Sequence, residues 1–261
     1  MLQDLYAGAE ADALARLERI SITDLESLIN KADSAINCLA RFGKTSTIEV
    51  IAEIKRASPS KGDLAPIEDA AALAKTYQAA GASAISVLTE ERKFKGSLED
   101  LVAVRNAVSI PILRKDFVSM EQQVLEARAY GADLVLLIVA GLEQSRLEHL
   151  VKFVESFGMT PFVETHSSEE VMRAIDTGAK LIGINARDLS TFETDRNLFQ
   201  EISSLLPKEC IAVAESAVRS TPDVEAYAKA GADMVLVGEA LVTGNASELL
   251  HEFTAVRKIR L

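Results

Sequence analysis

A Gly-Ala dipeptide followed at once by an apolar, β-rich segment recurs four times along the chain. The dipeptides stand at residues 81–82, 131–132, 178–179 and 231–232, roughly every 50 residues, a regular spacing that indicates a repeated supersecondary unit. The segments that follow them are SAISVL, DLVLLIV, KLIGIN and DMVLVG. Each glycine comes after a helical pattern, where a left-handed residue commonly ends the helix. The repeat therefore predicts four units in which a helix, a glycine and a strand follow one another.

Four further segments with strand composition lie between these units. They are IEVIAEIK (48–55), PILRKD (111–116), TPFVET (160–165) and CIAVAES (210–216). Eight strands alternating with eight helices fit either an open doubly wound sheet or a closed barrel. Eight such units in about 215 residues favour the barrel, and no GxGxxG turn follows the first strand. We therefore predict an α/β fold, a (β/α)8 TIM barrel with an N-terminal helical extension.

That extension is residues 1–47, which contain amphipathic stretches near 9–19 and 23–41. A segment of this length makes only a thin core by itself. We expect its helices to pack on the barrel and part of it to lie across one barrel mouth. Residues 1–261 then form one barrel domain that includes the extension.

Three helix starts carry the spacing of a capping box: Ser119 with Gln122, Ser167 with Glu170, and Asn245 with Glu248. In this motif the side chain of the first residue accepts a backbone N–H bond, and the later side chain reaches back to the first residue. We expect Ser119, Ser167 and Asn245 to be the N-caps of their helices.

The net charge of −11 and the pI near 4.9 argue against a general affinity for nucleic acid or an anionic membrane. Any anionic ligand therefore needs a local basic site. Cys38 and Cys210 lack the spacing of a metal site or a disulfide framework, and the apolar run LVLLIVAGL at 134–142 is too short to span a bilayer. We expect a cytoplasmic protein without nucleic-acid or membrane partners, and a monomer, with weak association left open.

Polar side chains stand at the predicted carboxyl ends of six strands. They are Glu53 and Lys55, Lys115, Glu164, Asn185 and Arg187, Glu215 and Ser216, and Gly238 and Glu239. In barrels of this kind the working groups occupy that one mouth. A single charge at a strand end is more often solvated or paired than catalytic. Two lysines and four glutamates on one face are costly without a function, so the set predicts an active site.

The three histidines do not change this interpretation. His149, His166 and His251 lie in different segments and offer no HxH or HxxxH ligand pair, so no metal is predicted. We interpret all three as structural, although His166 stands two residues beyond Glu164 and thus near the rim.

The motifs resemble those of the indole-3-glycerol-phosphate synthase family. The most specific is IAEIKRASPSKG, and six others follow in the family's order: SVLTEERKFKGS (86–97), PILRKDF (111–117), GADLVLLIV (131–139), GINARDL (183–189), VAES (213–216) and LVGEALV (236–242). The resemblance covers the chain from about residue 45 to the end. It implies conversion of 1-(2-carboxyphenylamino)-1-deoxyribulose 5-phosphate to indole-3-glycerol phosphate, carbon dioxide and water. It implies a phosphorylated small-molecule substrate and no cofactor.

The same resemblance implies roles for the catalytic residues. Lys115 is the general acid of ring closure, and Glu164 handles a proton during dehydration. Lys55 lies at the phosphate and the chain hydroxyls, and how the two lysines divide the acid work stays open. The remaining members of the implied catalytic set are Glu53, Asn185, Glu215 and Ser216.

Substrate contacts are also implied by motif position. The phosphate is expected at Lys55 and at the backbone of Ser216, Ala217, Gly238 and Glu239. Substrate-binding residues around the ring and its carboxylate are expected to be Ser58, Pro59, Phe94, Phe117, Leu137, Arg187 and Leu189. The family normally has Gly where this chain has Ala217, and a β-carbon resists positive φ, which puts phosphate affinity in question.

Two other functions stay open at this point. A related phosphosugar barrel such as a phosphoribosylanthranilate isomerase is expected to show a Cys and Asp pair at strand ends, whereas the first strand here ends in Glu-x-Lys and Cys210 begins its strand. A catalytically silent barrel that binds a phosphorylated metabolite is the alternative from another class, and Ala217 is its only support.

Overall fold

The computed structural model describes residues 2–188, 191 and 193–259. Strands in these ranges are β1 (Glu49–Ile54), β2 (Ala57–Ser58), β3 (Gly62–Asp63), β4 (Ala84–Leu88), β5 (Ile112–Lys115), β6 (Leu134–Ile138), β7 (Thr160–Thr165), β8 (Leu181–Asn185), β9 (Ile211–Glu215) and β10 (Met234–Val237). Helices are α1 (Leu2–Leu17), α2 (Ile22–Lys31), α3 (Cys38–Arg41), α4 (Ala70–Ala79), α5 (Leu98–Ala107), α6 (Glu121–Ala129), α7 (Gln144–Ser156), α8 (Ser168–Asp176), α9 (Leu198–Ile202), α10 (Thr221–Lys229), α11 (Glu239–Thr243) and α12 (Ala246–Ala255). Short 3-10 turns occupy Val139–Gly141 and Ser203–Leu205. Within these ranges no helix has the length and apolarity needed to cross a bilayer.

Among the described strands, eight form a closed parallel barrel. Their order around it is β1, β4, β5, β6, β7, β8, β9 and β10, and β10 pairs back with β1. The prediction of a (β/α)8 TIM barrel is confirmed. β2 and β3 lie outside the barrel as a small antiparallel hairpin after β1.

The barrel strands are buried on both faces, which explains their nearly continuous apolar sequences. All five residues of β6, LVLLI, are buried, and so are all six of β1, including Glu49 and Glu53. One face fills the barrel interior and the other packs on the surrounding helices. The few polar residues within the strands therefore stand out as candidates for a site.

The three capping predictions have different outcomes. Asn245 is the N-cap of α12, as predicted, and its side-chain oxygen accepts the N–H of Glu248 at 3.3 Å. Ser167 is the N-cap of α8, as predicted, and its hydroxyl accepts the N–H of Glu170 at 3.2 Å. The prediction for Ser119 is wrong by one residue, because α6 is capped at Met120 and Gln123, not Gln122, receives the backbone N–H groups. The Ser119 hydroxyl donates instead to Glu10 of α1 at 2.6 Å.

Helix α1 lies at the carboxyl-end mouth of the barrel. The Tyr6 hydroxyl donates to the Ile138 carbonyl at 3.4 Å, and the Tyr6 ring meets the Phe117 ring edge-on with centroids 5.6 Å apart. Further along the helix, the Arg16 guanidinium donates two hydrogen bonds, at 2.8 and 2.9 Å, to the buried carboxylate of Glu126 on α6. These contacts fix the first helix where it can cover part of a site.

Candidate active site

A cavity opens at the carboxyl-end mouth, and residues from all eight barrel strands line it. Of the residues predicted for a site, its wall contains Glu53, Lys55, Ser58, Pro59, Phe94, Lys115, Phe117, Glu164, Asn185, Arg187, Glu215, Ser216, Ala217, Gly238 and Glu239. Leu5 of α1 lines it as well. The strand-end argument therefore located side chains that are far apart in the chain but close in space.

One predicted wall residue points away from the cavity. Leu137 is fully buried but does not line the cavity, whereas its neighbours Leu136 and Ile138 do. Successive side chains of a strand face opposite sides, so the motif position was off by one residue. The other exception, Leu189, lies outside the described residues.

The centre of the cavity is a lysine between two buried carboxyl groups. Lys115 Nζ, at the end of β5, lies 2.8 Å from Glu164 Oε2 and 3.7 Å from Glu215 Oε2. Glu164 is on β7 and Glu215 on β9, so one strand separates them. They meet over Gly183 of β8, where any Cβ would collide with Glu215 Oε1. The glycine of the GIN motif thus makes room for this cluster.

Burial and charge act differently on the three groups. Burial opposes ionisation of Lys115, but attraction by Glu164, Glu215 and Glu53 outweighs it and raises the lysine pKa. Burial also opposes ionisation of Glu164, yet Lys115 and His166 hold its pKa well below the usual range. Burial and repulsion by Glu164 raise the pKa of Glu215 well above its usual range. The shifts favour a charged lysine, an ionised Glu164 and a protonated Glu215 in this cluster.

Lys55 forms a second ion pair on the opposite side of the cavity. Its Nζ lies 2.7 Å from Glu53 Oε1, and Ser86 donates to the other Glu53 oxygen at 3.4 Å. A Cβ at Gly238 would lie 2.5 Å from Glu53 Oε1 and 3.1 Å from Lys55 Nζ. The absence of a side chain at Gly238 therefore lets this pair lie against the loop after β10.

Asn185 is held by the loops around it. Its Oδ1 accepts the Ser216 hydroxyl at 2.7 Å and the Arg187 backbone N–H at 3.0 Å. These two hydrogen bonds orient the amide group, and both are accepted by its oxygen. The amide NH₂ group is then the part of the side chain available to a ligand oxygen.

The turn after β9 has an unusual backbone. Ser216 and Ala217 have φ of 67° and 60°, consecutive left-handed values without glycine at either position. The Tyr227 hydroxyl donates to the Ser216 carbonyl at 3.2 Å and helps to hold the turn. Ala217 therefore adopts the conformation that glycine favours.

The apolar wall is aromatic. The ring centroids of Phe94 and Phe117 lie 6.1 Å apart, and Tyr6 packs on the far side of Phe117. A residue that the sequence reasoning missed positions Phe94: the buried carboxylate of Glu90 accepts the N–H groups of Lys93 at 2.7 Å and Phe94 at 2.8 Å. A buried acid next to the strand end in LTEERKF was the available signal.

The hairpin after β1 closes one side of the cavity. Ser58 and Pro59 belong to it, and Arg187 reaches across the mouth to donate to the Ser60 hydroxyl at 3.1 Å. Lys61 of the same hairpin is ion-paired with Glu239. Loops after three strands are thus linked above the site.

His166 is the second residue that the sequence reasoning underrated. Its side chain is 10% exposed and its Nε2 lies 3.3 Å from Glu164 Oε1. Its Nδ1 lies 3.2 Å from Glu170 Oε2. Across residues 2–188, 191 and 193–259, no group of three His, Cys, Asp or Glu side chains is arranged to hold a metal ion.

Comparison with known proteins shows to which family the chain belongs. The family model described as indole-3-glycerol phosphate synthase matches residues 2–253. The chain belongs to the indole-3-glycerol phosphate synthase family. Similar relatives bear the same name: the protein of Leifsonia xyli subsp. xyli is 55% identical over 98% of both chains. That of Rhodococcus opacus is 56% identical over 93% of this chain and 90% of its own.

Solved structures outside the family share the barrel. N-acetylmannosamine-6-phosphate 2-epimerase from Clostridium perfringens has a TM-score of 0.62 and 14% identity, over 80% of this chain and 92% of that one. Thiamine phosphate pyrophosphorylase from Pyrococcus furiosus has a TM-score of 0.59 and 14% identity, over 80% and 94%. At this identity the likeness concerns the fold alone.

Proposed function

We propose that the chain converts 1-(2-carboxyphenylamino)-1-deoxyribulose 5-phosphate to indole-3-glycerol phosphate, carbon dioxide and water, the carboxy-lyase step of tryptophan biosynthesis. The observation that carries this proposal is the buried cluster in which Lys115 Nζ lies 2.8 Å from Glu164, inside a cavity with an aromatic wall. Family membership supports the same reaction.

Lys115 acts as the general acid of ring closure in this proposal. The ring carbon that bears the carboxylate attacks the chain carbonyl, and the carbonyl oxygen takes a proton from the ammonium group. Loss of carbon dioxide returns an electron pair to the ring and restores its aromaticity. The raised pKa keeps Lys115 charged, so it stabilises the developing oxyanion before the proton moves.

Dehydration requires a base and an acid. The new hydroxyl leaves as water after it receives a proton, while a neighbouring carbon loses one. Glu164 is the anionic carboxylate in the cluster and is suited to accept that proton. Lys55 and the neutral Glu215 are the other groups able to donate one, and Glu53 and Asn185 orient the chain hydroxyls.

Substrate binding follows the polarity of the cavity. The phosphate is assigned to Lys55 and to the backbone N–H groups of the turns at Ser216 and Ala217 and at Gly238 and Glu239. The anthranilate ring is assigned to the wall of Phe94, Phe117 and Pro59, with Ser58 and Arg187 near its carboxylate. Leu136 and Ile138 replace Leu137 in this proposal because they line the cavity.

The test is a fluorescence assay for the indole product with wild type and Lys115→Met. We expect kcat to fall at least about a hundredfold, the usual contribution of a positioned proton donor. Lys152→Met is the matched control, because Lys152 is exposed on α7 and outside the cavity. Equal rates for wild type and the Lys115 variant would remove Lys115 from this role.

The two rival functions have less support. A silent metabolite-binding barrel was favoured by Ala217 alone, yet this residue has the left-handed backbone that a glycine would supply. An isomerase of this kind is expected to have a Cys and Asp pair at strand ends, whereas Cys210 precedes β9 and lies at the opposite mouth. Formation of the indole product by the wild type would separate the proposed function from both rivals.

A small phosphorylated substrate also fits the remaining partner predictions. The reaction requires no nucleic acid or membrane partner. We further propose a cytoplasmic location, because both Cys38 and Cys210 are buried free thiols, as is usual in a reducing compartment. A monomer accommodates the proposed chemistry, since the described residues of one chain line the whole catalytic cluster.

A further inference from the structure

Two buried carboxyl groups compete for one lysine in this site. Glu164 and Glu215 are each 1% exposed, and both approach Lys115 Nζ, at 2.8 and 3.7 Å. Two carboxylates in such surroundings do not both ionise readily, so one proton is retained by the pair. Which of them keeps the proton decides which can act as a base.

His166 contacts only one of the two. The imidazole lies between the end of β7 and the start of α8, with Nε2 3.3 Å from Glu164 Oε1 and Nδ1 3.2 Å from Glu170 Oε2. Glu170 Oε2 also accepts the backbone N–H of His166 at 2.8 Å, which fixes the loop. The Nε2 contact lacks the alignment of a hydrogen bond and is an ion pair when the imidazole is protonated.

The surroundings keep this imidazole charged. Burial opposes its ionisation, but Glu164 and Glu170 outweigh burial and raise the pKa of His166 to about 10. The charged groups facing it are Glu164 on β7, Glu170 on α8, and, across the cavity, Lys115 on β5 and Glu215 on β9.

Glu215 has no comparable second cation. Its Oε1 packs over Gly183 and beside the Phe162 ring and has no hydrogen-bond partner within the described residues. An unpartnered buried oxygen disfavours the ionised form of a carboxyl group. The neutral form is therefore more stable here than at Glu164.

We propose that His166 is a positioning residue of the active site: as an imidazolium between Glu164 and Glu170, it holds the negative charge on Glu164 and leaves the shared proton on Glu215. This inference rests on the proposed function and assigns a base and a neutral donor within it. His166 acts through Glu164 and does not line the cavity. Neither the family comparison nor the motif reasoning assigned it a role.

The kinetic test uses His166→Gln, which keeps a polar side chain and removes the charge. Without the cation the proton is shared between the two carboxyls, so we expect kcat to fall about tenfold while KM stays within about twofold. The acid limb of the kcat profile should move to higher pH by about one unit, because Glu164 becomes easier to protonate. Glu170→Gln should change both quantities in the same direction but less.

His149→Gln is the matched control. His149 also pairs with a carboxylate, Glu121 at 2.8 Å, but it is exposed on α7 and lies outside the cavity. We expect wild-type kcat and pH dependence for this variant. A folded His166→Gln enzyme with the kcat and acid limb of the wild type would overturn the proposal.

A measurement on the wild type decides the charge state independently of activity. The ring signals of His166 can be assigned in NMR spectra because they are absent from His166→Gln, or because they shift in Glu170→Gln. The His166 ring should remain protonated at about pH 8, where an ordinary imidazole is neutral. A neutral ring at that pH would overturn the inference even if the Gln variant failed to fold. Wild type without product formation would contradict the proposed function, whereas an active wild type with a neutral His166 would contradict only this inference.

Discussion

Replacement of Ala217 by glycine tests whether the left-handed backbone of the turn after β9 lowers the stability of the folded protein. Ser216 and Ala217 have φ of 67° and 60°, and the turn is held by the Tyr227 hydroxyl and by the bond from Ser216 to Asn185. A left-handed backbone costs a residue with a β-carbon about 1–2 kcal/mol. Ala217→Gly removes that cost at one of the two positions.

The gain is partly cancelled in the unfolded chain. Glycine is more flexible there, which costs about 0.5–1 kcal/mol on folding. The net stabilisation expected for Ala217→Gly is about 0.5–1 kcal/mol. For a chain of this size that corresponds to a rise in Tm of about 1–4 °C. The backbone N–H of residue 217 keeps its position, so KM should stay within about twofold.

Thermal and urea unfolding measure the change in stability, and the product assay measures KM. Ala35→Gly is the matched control, because Ala35 is also half-buried and outside helices and strands but has no positive φ. The control should lose about 0.5–1 kcal/mol. An Ala217→Gly protein less stable than wild type would refute the strain argument. A tenfold fall in KM would show instead that alanine weakens substrate binding.

Two further predictions concern the barrel interior and the surface. Gly183→Ala should lower kcat at least about tenfold and destabilise the fold by about 1–3 kcal/mol, because the new Cβ would displace Glu215. The product assay and urea unfolding measure these two effects. Gly8→Ala is the control, because its Cβ would meet the flexible side chain of Arg92. Arg146 lowers the pKa of the half-exposed Glu121 from 4.5 to about 2, so the pair stabilises the fold above pH 4.5 and loses this effect as the pH falls to about 2. Glu121→Gln should therefore cost less than about 1 kcal/mol at neutral pH and nothing near pH 2 in urea unfolding, and a difference that grows in acid would contradict this assignment.

The fold was predictable from the sequence because its signals are local and repeated. Each Gly-Ala dipeptide lies between a helix and a strand, and Gly81, Gly131, Gly178 and Gly231 all have positive φ, as expected for helix-ending glycines. Nearly all residues on both faces of the barrel strands are buried, so apolar runs mark the strands. The position of the candidate site at one barrel mouth was also predictable, because the parallel strands of a barrel bring their carboxyl ends together.

The details that were missed depend on side-chain direction and long-range contacts. Leu137 does not line the cavity, because the pleat of β6 turns its neighbours Leu136 and Ile138 there. The hydroxyl of Ser119 does not cap α6, because it is bound to Glu10, which is 109 positions away in the chain. Likewise, nothing local shows that His166 turns back onto Glu164. Such choices are made by packing partners, and spacing along the sequence contains no record of them.

The charge of the cavity reconciles an acidic protein with an anionic substrate. Among the described residues that line it, five are basic (Lys55, Lys115, Arg187, Arg196 and Arg219) and five are acidic (Glu53, Asp116, Glu164, Glu215 and Glu239). The raised pKa of Glu215 favours its uncharged form, which shifts the charge of the lining toward positive, while the whole chain has a net charge of −11. His166 adds a further positive charge beside Glu164. The local field, and not the net charge, therefore governs binding of a phosphate and a carboxylate at this mouth.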